Sequence, residues 1–97
     1  MVQTVSISGR ITVNNSDEMR RKLQAALGSK PAQVTVDLSG ATYIDTSGVA
    51  TLLEAVRIAR GQGTRFILAG LNGQPRYFFE AAEFDRLFEI APQEASM

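Results

Sequence analysis

The chain has no cysteine and no histidine. The first absence excludes disulfides, thiolate catalysis and cysteine metal sites, and the second removes the commonest general base and metal ligand. Net charge is missing too: ten Lys and Arg balance ten Asp and Glu over 97 residues, so no bulk field draws in nucleic acid, anionic lipid or acidic substrates. No apolar run approaches the length of a membrane span, and the N-terminus opens on the polar alternation Val2-Gln3-Thr4-Val5-Ser6 rather than on a basic region followed by an apolar one. These absences predict a cytoplasmic protein with no nucleic-acid partner, no membrane insertion, no metal and no cofactor. Recognition by a specific surface patch stays open.

What is present is a hydrophobic content of 44%, enough for one domain over residues 1–97, with a core from about 2 to 91. The rest, 92–97, is a short polar tail. Alternation around Val5 and Ile7 predicts a strand reaching Ile11, with Gly9 as a bend. Asn15-Ser16-Asp17-Glu18 has the spacing of a capping box, and Met19, Leu23, Ala26 and Leu27 recur at helical intervals up to Gly28. Val34, Val36 and Leu38 predict a second strand ending at Ser39-Gly40. Val49, Leu52, Leu53, Val56 and Ala59 predict the core stripe of a second helix, with Thr51, Glu54 and Arg57 outward and Gly61 and Gly63 beyond its end. Phe66-Ile67-Leu68-Ala69 reads as a central strand. Asn72-Gly73-Gln74-Pro75 opens a third helix carrying Tyr77, Phe78, Ala81 and Ala82, and Leu87, Phe88 and Ile90 form a short last strand. Strands alternating with helices imply an α/β sheet with helices packed on it.

The densest signal is Asp45-Thr46-Ser47-Gly48, between the apolar-aromatic step Thr42-Tyr43-Ile44 and the second helix. Asp, Thr and Ser are all good cap residues, and glycine in the first turn admits close approach of another surface. By residue chemistry alone this is a well-capped helix. The whole stretch from Val34 to Val49, however, resembles the signature of the STAS family, the fold of anti-sigma-factor antagonists. The resemblance continues through the glycine turn and strand Gln62-Gly63-Thr64-Arg65-Phe66-Ile67-Leu68-Ala69-Gly70, and more weakly through Phe84-Asp85-Arg86-Leu87-Phe88-Glu89-Ile90.

That resemblance implies a STAS-like α/β fold with a mixed β-sheet, here lacking the family's first strand and C-terminal helix. It also implies an uncovered sheet edge suited to a weak homodimer. In anti-sigma-factor antagonists the hydroxyl directly after the motif aspartate is phosphorylated by a partner kinase, which maps onto Thr46, with Ser47 as second choice. The partner surface maps onto Asp45, Thr46, Ser47, Gly48 and Val49. The implied partners are an anti-sigma factor or serine kinase and a PP2C-type phosphatase. The alternative within the family is a scaffold subunit that contacts the ATPase of a phospholipid-trafficking transporter. The chain departs from the antagonists at Gly9-Arg10-Ile11-Thr12, where they carry Gly-Glu-Leu-Asp.

Enzyme readings find little purchase. Ser47 separates Thr46 from Gly48, which breaks the Asp-Thr-Gly of aspartic proteases, and the surroundings read as helix. Asp37 and Asp45 lie at strand ends without a histidine or a phosphate loop, and Gly61-Gln62-Gly63 lacks the context of a dinucleotide fingerprint. Tyr77, Phe78 and Phe79 are divided between core and surface, and Arg57, Arg60 and Arg65 read as a solvated face. Protein binding rather than catalysis is the expected function.

Overall fold

The alternating apolar residues of Val34-Thr35-Val36 and the apolar run Phe66-Ile67-Leu68 place two strands side by side at the centre, and every other element is arranged around them. The computed structural model describes residues 1–92; most of the polar tail, 93–97, lies outside the described residues. In order, the elements are β1 (Val2–Ser6), β2 (Gly9–Ile11), α1 (Ser16–Gly28), β3 (Gln33–Asp37), β4 (Ala41–Ile44), α2 (Thr46–Gln62), β5 (Arg65–Ala69), α3 (Gly73–Ala81), a 3₁₀ turn (Phe84–Leu87) and β6 (Glu89–Ile90).

One sheet has the order β1-β3-β5-β6, and β2 pairs with β4 as a second, two-stranded sheet. All of these pairs are parallel. A mixed sheet is therefore replaced by a parallel one among the described residues, because a helix returns the chain to the same end before each new strand of the main sheet. The two sheets are continuous. Ile7 N–H donates to Asp37 O at 3.0 Å and Gly9 N–H to Gly40 O at 2.9 Å, so the β1–β3 pair bends and runs on as β2–β4. The single strand expected up to Ile11 is thus broken at Gly9, where φ is +79°. Thr42-Tyr43-Ile44 lies within β4 itself, and a register shift between Gly9 and Arg10 leaves the β4 side one residue longer.

Register defines two faces of the main sheet. Val5, Val36, Leu68 and Ile90 form one row, and Val34 and Phe66 lie in another on the same side. These residues join Leu23, Leu27, Leu52, Val56 and Phe79 in a single apolar core. On the opposite side Thr4 aligns with Thr35 and Ile67, and Ser6 with Asp37 and Ala69. There Ile67 is buried yet stands outside the core cluster. The helices therefore cover one side, and the aromatic seam Phe79–Phe84–Phe88 seals the end of that layer, with ring centroids 5.6–6.2 Å from Phe79.

Several local readings change. Asn15 stands at the N-cap of α1 but makes no cap bond with its side chain. Its amide instead accepts from Thr12 N–H at 2.7 Å and donates to Arg10 O, so the expected capping box gives way to a brace on the β2–α1 loop. Helix α2 runs through Gly61 to Gln62 and stops only at Gly63, whose left-handed backbone and the 2.9 Å bond from Thr64 N–H to Ala59 O close the last turn. The buried stripe of α2 is Gly48, Val49, Thr51, Leu52, Ala55, Val56 and Ala59, with Leu53 only partly buried. Thr51 goes inward because its hydroxyl donates to Ser47 O at 3.0 Å, so burial leaves no orphaned donor. The small residues Gly48, Ala55 and Ala59 let the helix approach closely along that line. Apolarity alone weights Leu53 over Thr51, and so rotates the stripe the wrong way.

Leu52→Ala is expected to cost about 2–5 kcal/mol, and Leu53→Ala clearly less, because only the former leaves a fully enclosed void. Urea denaturation of the two variants checks this; equal losses would contradict the burial pattern.

Candidate functional site

The segment singled out by sequence occupies the C-terminal end of the strands, where β4 gives way to α2. Asp45 has extended backbone angles and is the N-cap of α2. Its Oδ1 accepts from Ser47 N–H at 2.9 Å and from Gly48 N–H at 3.3 Å, taking up two of the donors that a helix start leaves unpaired. Thr46, the first residue of the helix, is exposed, and Ser47 is half-buried. Among the described residues the Thr46 hydroxyl has no hydrogen-bond partner, since Asp45 serves the cap.

Gly48 and Val49 face the other way. Both are buried, and a Cβ built on Gly48 would fall 2.7 Å from Ile44 Cγ1 and 2.8 Å from Ile11 Cγ2. Glycine is needed here because the helix start presses on β2 and β4 of its own domain, and not because an outside surface approaches. Of the five residues assigned to the partner surface, Asp45, Thr46 and Ser47 therefore reach solvent, while Gly48 and Val49 hold the turn from below.

Sequence patterning missed two residues of this end of the molecule. Gln74, in the first turn of α3, reaches across to β4: its Oε1 accepts from Ile44 N–H at 2.8 Å and its Nε2 donates to Ile44 O at 3.0 Å. Asn72, read as a cap, instead donates from its side chain to Gly70 O at 2.9 Å and Ser39 O at 3.2 Å. The long-range partnerships leave no sequence signal, since Gln74 and Ile44 stand 30 positions apart and Asn72 and Ser39 stand 33 apart. Asp37, at the end of β3, accepts from Ser39 N–H at 2.9 Å. That backbone bond, followed by one from the Ser39 side chain, holds its carboxyl below the usual carboxylate value, against a smaller opposing effect of burial. Asp37 and Asp45 are thus each engaged in ordering a turn. On the neighbouring strand Arg10, where antagonists carry an acid, lies 4.4 Å from the centre of the Tyr43 ring. Among the described residues no group of three or more Asp or Glu side chains is placed to hold a metal ion, and no helix is long and apolar enough to cross a membrane.

A parallel sheet covered by helices on one side, with an exposed hydroxyl directly after a capping aspartate at the start of the second helix, is the arrangement expected of a STAS domain. The sequence comparison agrees: the family described as the Mlab STAS domain matches residues 2–90. The chain belongs to the STAS family. A STAS-domain containing protein of Pseudomonas aeruginosa is 28% identical over 88 residues, covering 91% of this chain and 86% of the relative. Among solved structures, a Thermotoga maritima protein described as a candidate anti-sigma factor antagonist superposes with a TM-score of 0.83 at 15% identity, over 95% of this chain and 80% of the other. A sulfate transporter family protein of Wolinella succinogenes superposes with a TM-score of 0.77 at 16% identity, over 92% and 75%. At such identities these two likenesses establish the fold.

Asp45→Ala is expected to lower stability by about 0.5–2 kcal/mol through loss of the cap, and Gly48→Ala by about 1–3 kcal/mol through overpacking against Ile11 and Ile44. Chemical denaturation measures both; a neutral Gly48→Ala would refute the close approach. A second expectation concerns acid. Because the Asp37 carboxyl is depressed in the folded state, its contribution is complete above the unfolded value of about 3.9 and is lost as pH falls through the lower folded value. Asp37→Asn should therefore cost most at neutral pH and progressively less as the medium is acidified below the unfolded value. A cost that stays constant throughout an acid titration of stability would contradict it.

Proposed function

We propose that this STAS domain is an anti-sigma-factor-antagonist-like switch. On this reading it binds an anti-sigma factor or serine kinase through the start of α2, and the kinase turns binding off by phosphorylating Thr46. A PP2C-type phosphatase would reverse the modification. The observation that carries the reading is the state of the Thr46 hydroxyl: exposed, uncommitted, and mounted on a helix start whose cap is supplied by its neighbour Asp45. A phosphate there meets the positive end of α2 and adds about −1.5 to −2 charges without breaking a bond that the fold needs. The folded domain tolerates the modification while its outer surface becomes strongly negative. A partner face that buried the unphosphorylated hydroxyl would now have to desolvate that charge. At several kcal/mol, this corresponds to about two or more decades in affinity. The chain itself only presents the hydroxyl; phosphoryl transfer belongs to the partners, and the reading assigns no catalytic step to Asp37 or Asp45.

A second reading is a scaffold subunit that uses the same surface to contact the ATPase of a phospholipid-trafficking transporter. It is supported by the family description, which names Mlab rather than an anti-sigma antagonist, and by the likeness to a transporter-family protein. In that case Thr46 is a contact residue and not a phosphate acceptor. The two readings part on charge. Thr46→Glu is expected to fold normally and to bind its partner about a hundredfold more weakly, while Thr46→Ala should abolish phosphorylation and retain binding. Ser47→Ala should leave phosphorylation intact. Incubation with the kinase encoded nearest its gene, followed by mass-spectrometric site mapping, checks the acceptor. Phosphate on Ser47 would move the site by one residue. Absence of phosphate together with undiminished binding by Thr46→Glu would sink the phospho-switch and leave the transporter scaffold.

A further inference from the structure

The turn that carries Thr46 is secured from an element that the sequence pattern does not connect with it. The peptide unit joining Ile44 to Asp45 has one polar group on each side, and both are committed. Its carbonyl, Ile44 O, accepts from Gln74 Nε2 at 3.0 Å, and its N–H, on Asp45, donates to Ile11 O at 3.2 Å. The preceding N–H, on Ile44, donates to Gln74 Oε1 at 2.8 Å. One carboxamide thus engages both backbone groups of Ile44, pairing with β4 much as a residue of a neighbouring strand would, although among the described residues no strand lies there. The Ile44 side chain, only 1% exposed, is in turn locked under Gly48. Asp45 has little freedom to move unless the bond from Ile11 or the clamp from Gln74 gives way.

This has a consequence for any charge placed on Thr46. A phosphate or carboxylate at that position lies next to the Asp45 carboxylate, and the like charges repel. The Asp45 carboxylate is held by Ser47 N–H and Gly48 N–H, so repulsion that does not break this cap is passed to the Asp45 backbone and its peptide unit with Ile44. On one side of that unit stands β2, already fixed by its pairing with β4. On the other stands the side chain of Gln74, half-buried, in the first turn of a helix. We propose that Gln74 is the positioning residue of the Thr46 turn, and that its clamp on Ile44 is the route by which charge at Thr46 is felt at the start of α3. This rests on the reading of Thr46 as the switch residue only for its biological meaning; the mechanical link exists whatever modifies that position.

The experiment uses the full 97-residue chain, labelled for NMR, and needs no partner. Removing the clamp with Gln74→Leu should speed amide exchange at Ile44 by about tenfold, as expected for one lost hydrogen bond to a sheltered group, while Val36 and Leu68 in the central strands stay unchanged. In the otherwise native chain, Thr46→Glu should shift the amide resonances of Ile44 and Asp45 and those of Gln74, Arg76 and Tyr77. In the Gln74→Leu background the same change should still shift the start of α2, but the α3 shifts should vanish. Tyr77→Ala, an exposed change in the same helix, should leave the transmission intact. Should Gln74→Leu fail to fold, Gln74→Met keeps an unbranched stem and good helix propensity without the amide, and is read in the same way. Unchanged exchange at Ile44 would overturn the proposal. So would equal acceleration at Ile44, Val36 and Leu68, which marks a merely global loss of stability, or α3 shifts that persist without Gln74. Failure of the phospho-switch shows elsewhere, as undiminished partner binding by Thr46→Glu, so the two ideas fall separately.

Discussion

Everything at the start of α2 depends on the enforced closeness of that helix to β2 and β4. Gly48 sits where any side chain would collide with Ile11 and Ile44. That contact fixes where the helix begins, and so where Asp45 must stand to cap it and where Thr46 must emerge. Because a helix start leaves unpaired N–H groups, Asp45 is drawn into accepting from Ser47 and Gly48. Thr46 is thereby released from any structural duty. An exposed group free of the fold's own bonds is one whose chemistry can change without the fold changing.

The opposite end is secured by a different kind of interaction. Thr64 is buried, its hydroxyl donating to Pro31 O at 2.7 Å and accepting from Gln62 Nε2 at 3.0 Å. Gln62 also donates to Leu27 O at 2.8 Å, which ties the ends of α1 and α2 to the start of β5. Satisfied buried polar groups of this kind rigidify and specify an arrangement. The charged pairs do less. Arg20 with Asp17 and Glu54, and Arg65 with Glu89, all stay at least partly open to solvent, which screens such pairs and leaves them little net contribution. Stability thus rests on the core and the polar braces rather than on the surface charges.

The bend in the paired strands links these two ends. The β1–β3 pair continues into β2–β4 beyond Gly9 and Gly40, carrying Ile11 and Ile44 out of the main sheet and under the first turn of α2. A straight pair would leave that turn without a floor. With the bend, the same hydrogen-bonded ribbon supplies both the core of the domain and the platform of the site, and α3 closes the platform's free side through Gln74.

Much of this was legible in the residues taken in order. Alternation in β3, the apolar run of β5, the helical intervals of Met19, Leu23 and Leu27, and the string from Asp45 to Val49 each report on neighbours in the chain, and such local patterns follow directly from the periods of helix and strand. The position of Thr46 at the start of α2 was among them. Other features depended on partners distant in sequence. The parallel sheet, the break at Gly9, the inward turn of Thr51, the diversion of Asn15 and Asn72 from capping, and the inward role of Gly48 became visible only when separate segments met. Gln74 is the clearest case: in sequence it is one polar residue in a helix's first turn, and a partner thirty residues away gives it its task. Sequence alone determined which segments become helix or strand and which hydroxyl follows the capping aspartate, because propensity, periodicity and capping are short-range. Tertiary structure decided which side chains hold that hydroxyl in place, because a hydrogen bond is specified by distance in space and leaves no period in the chain.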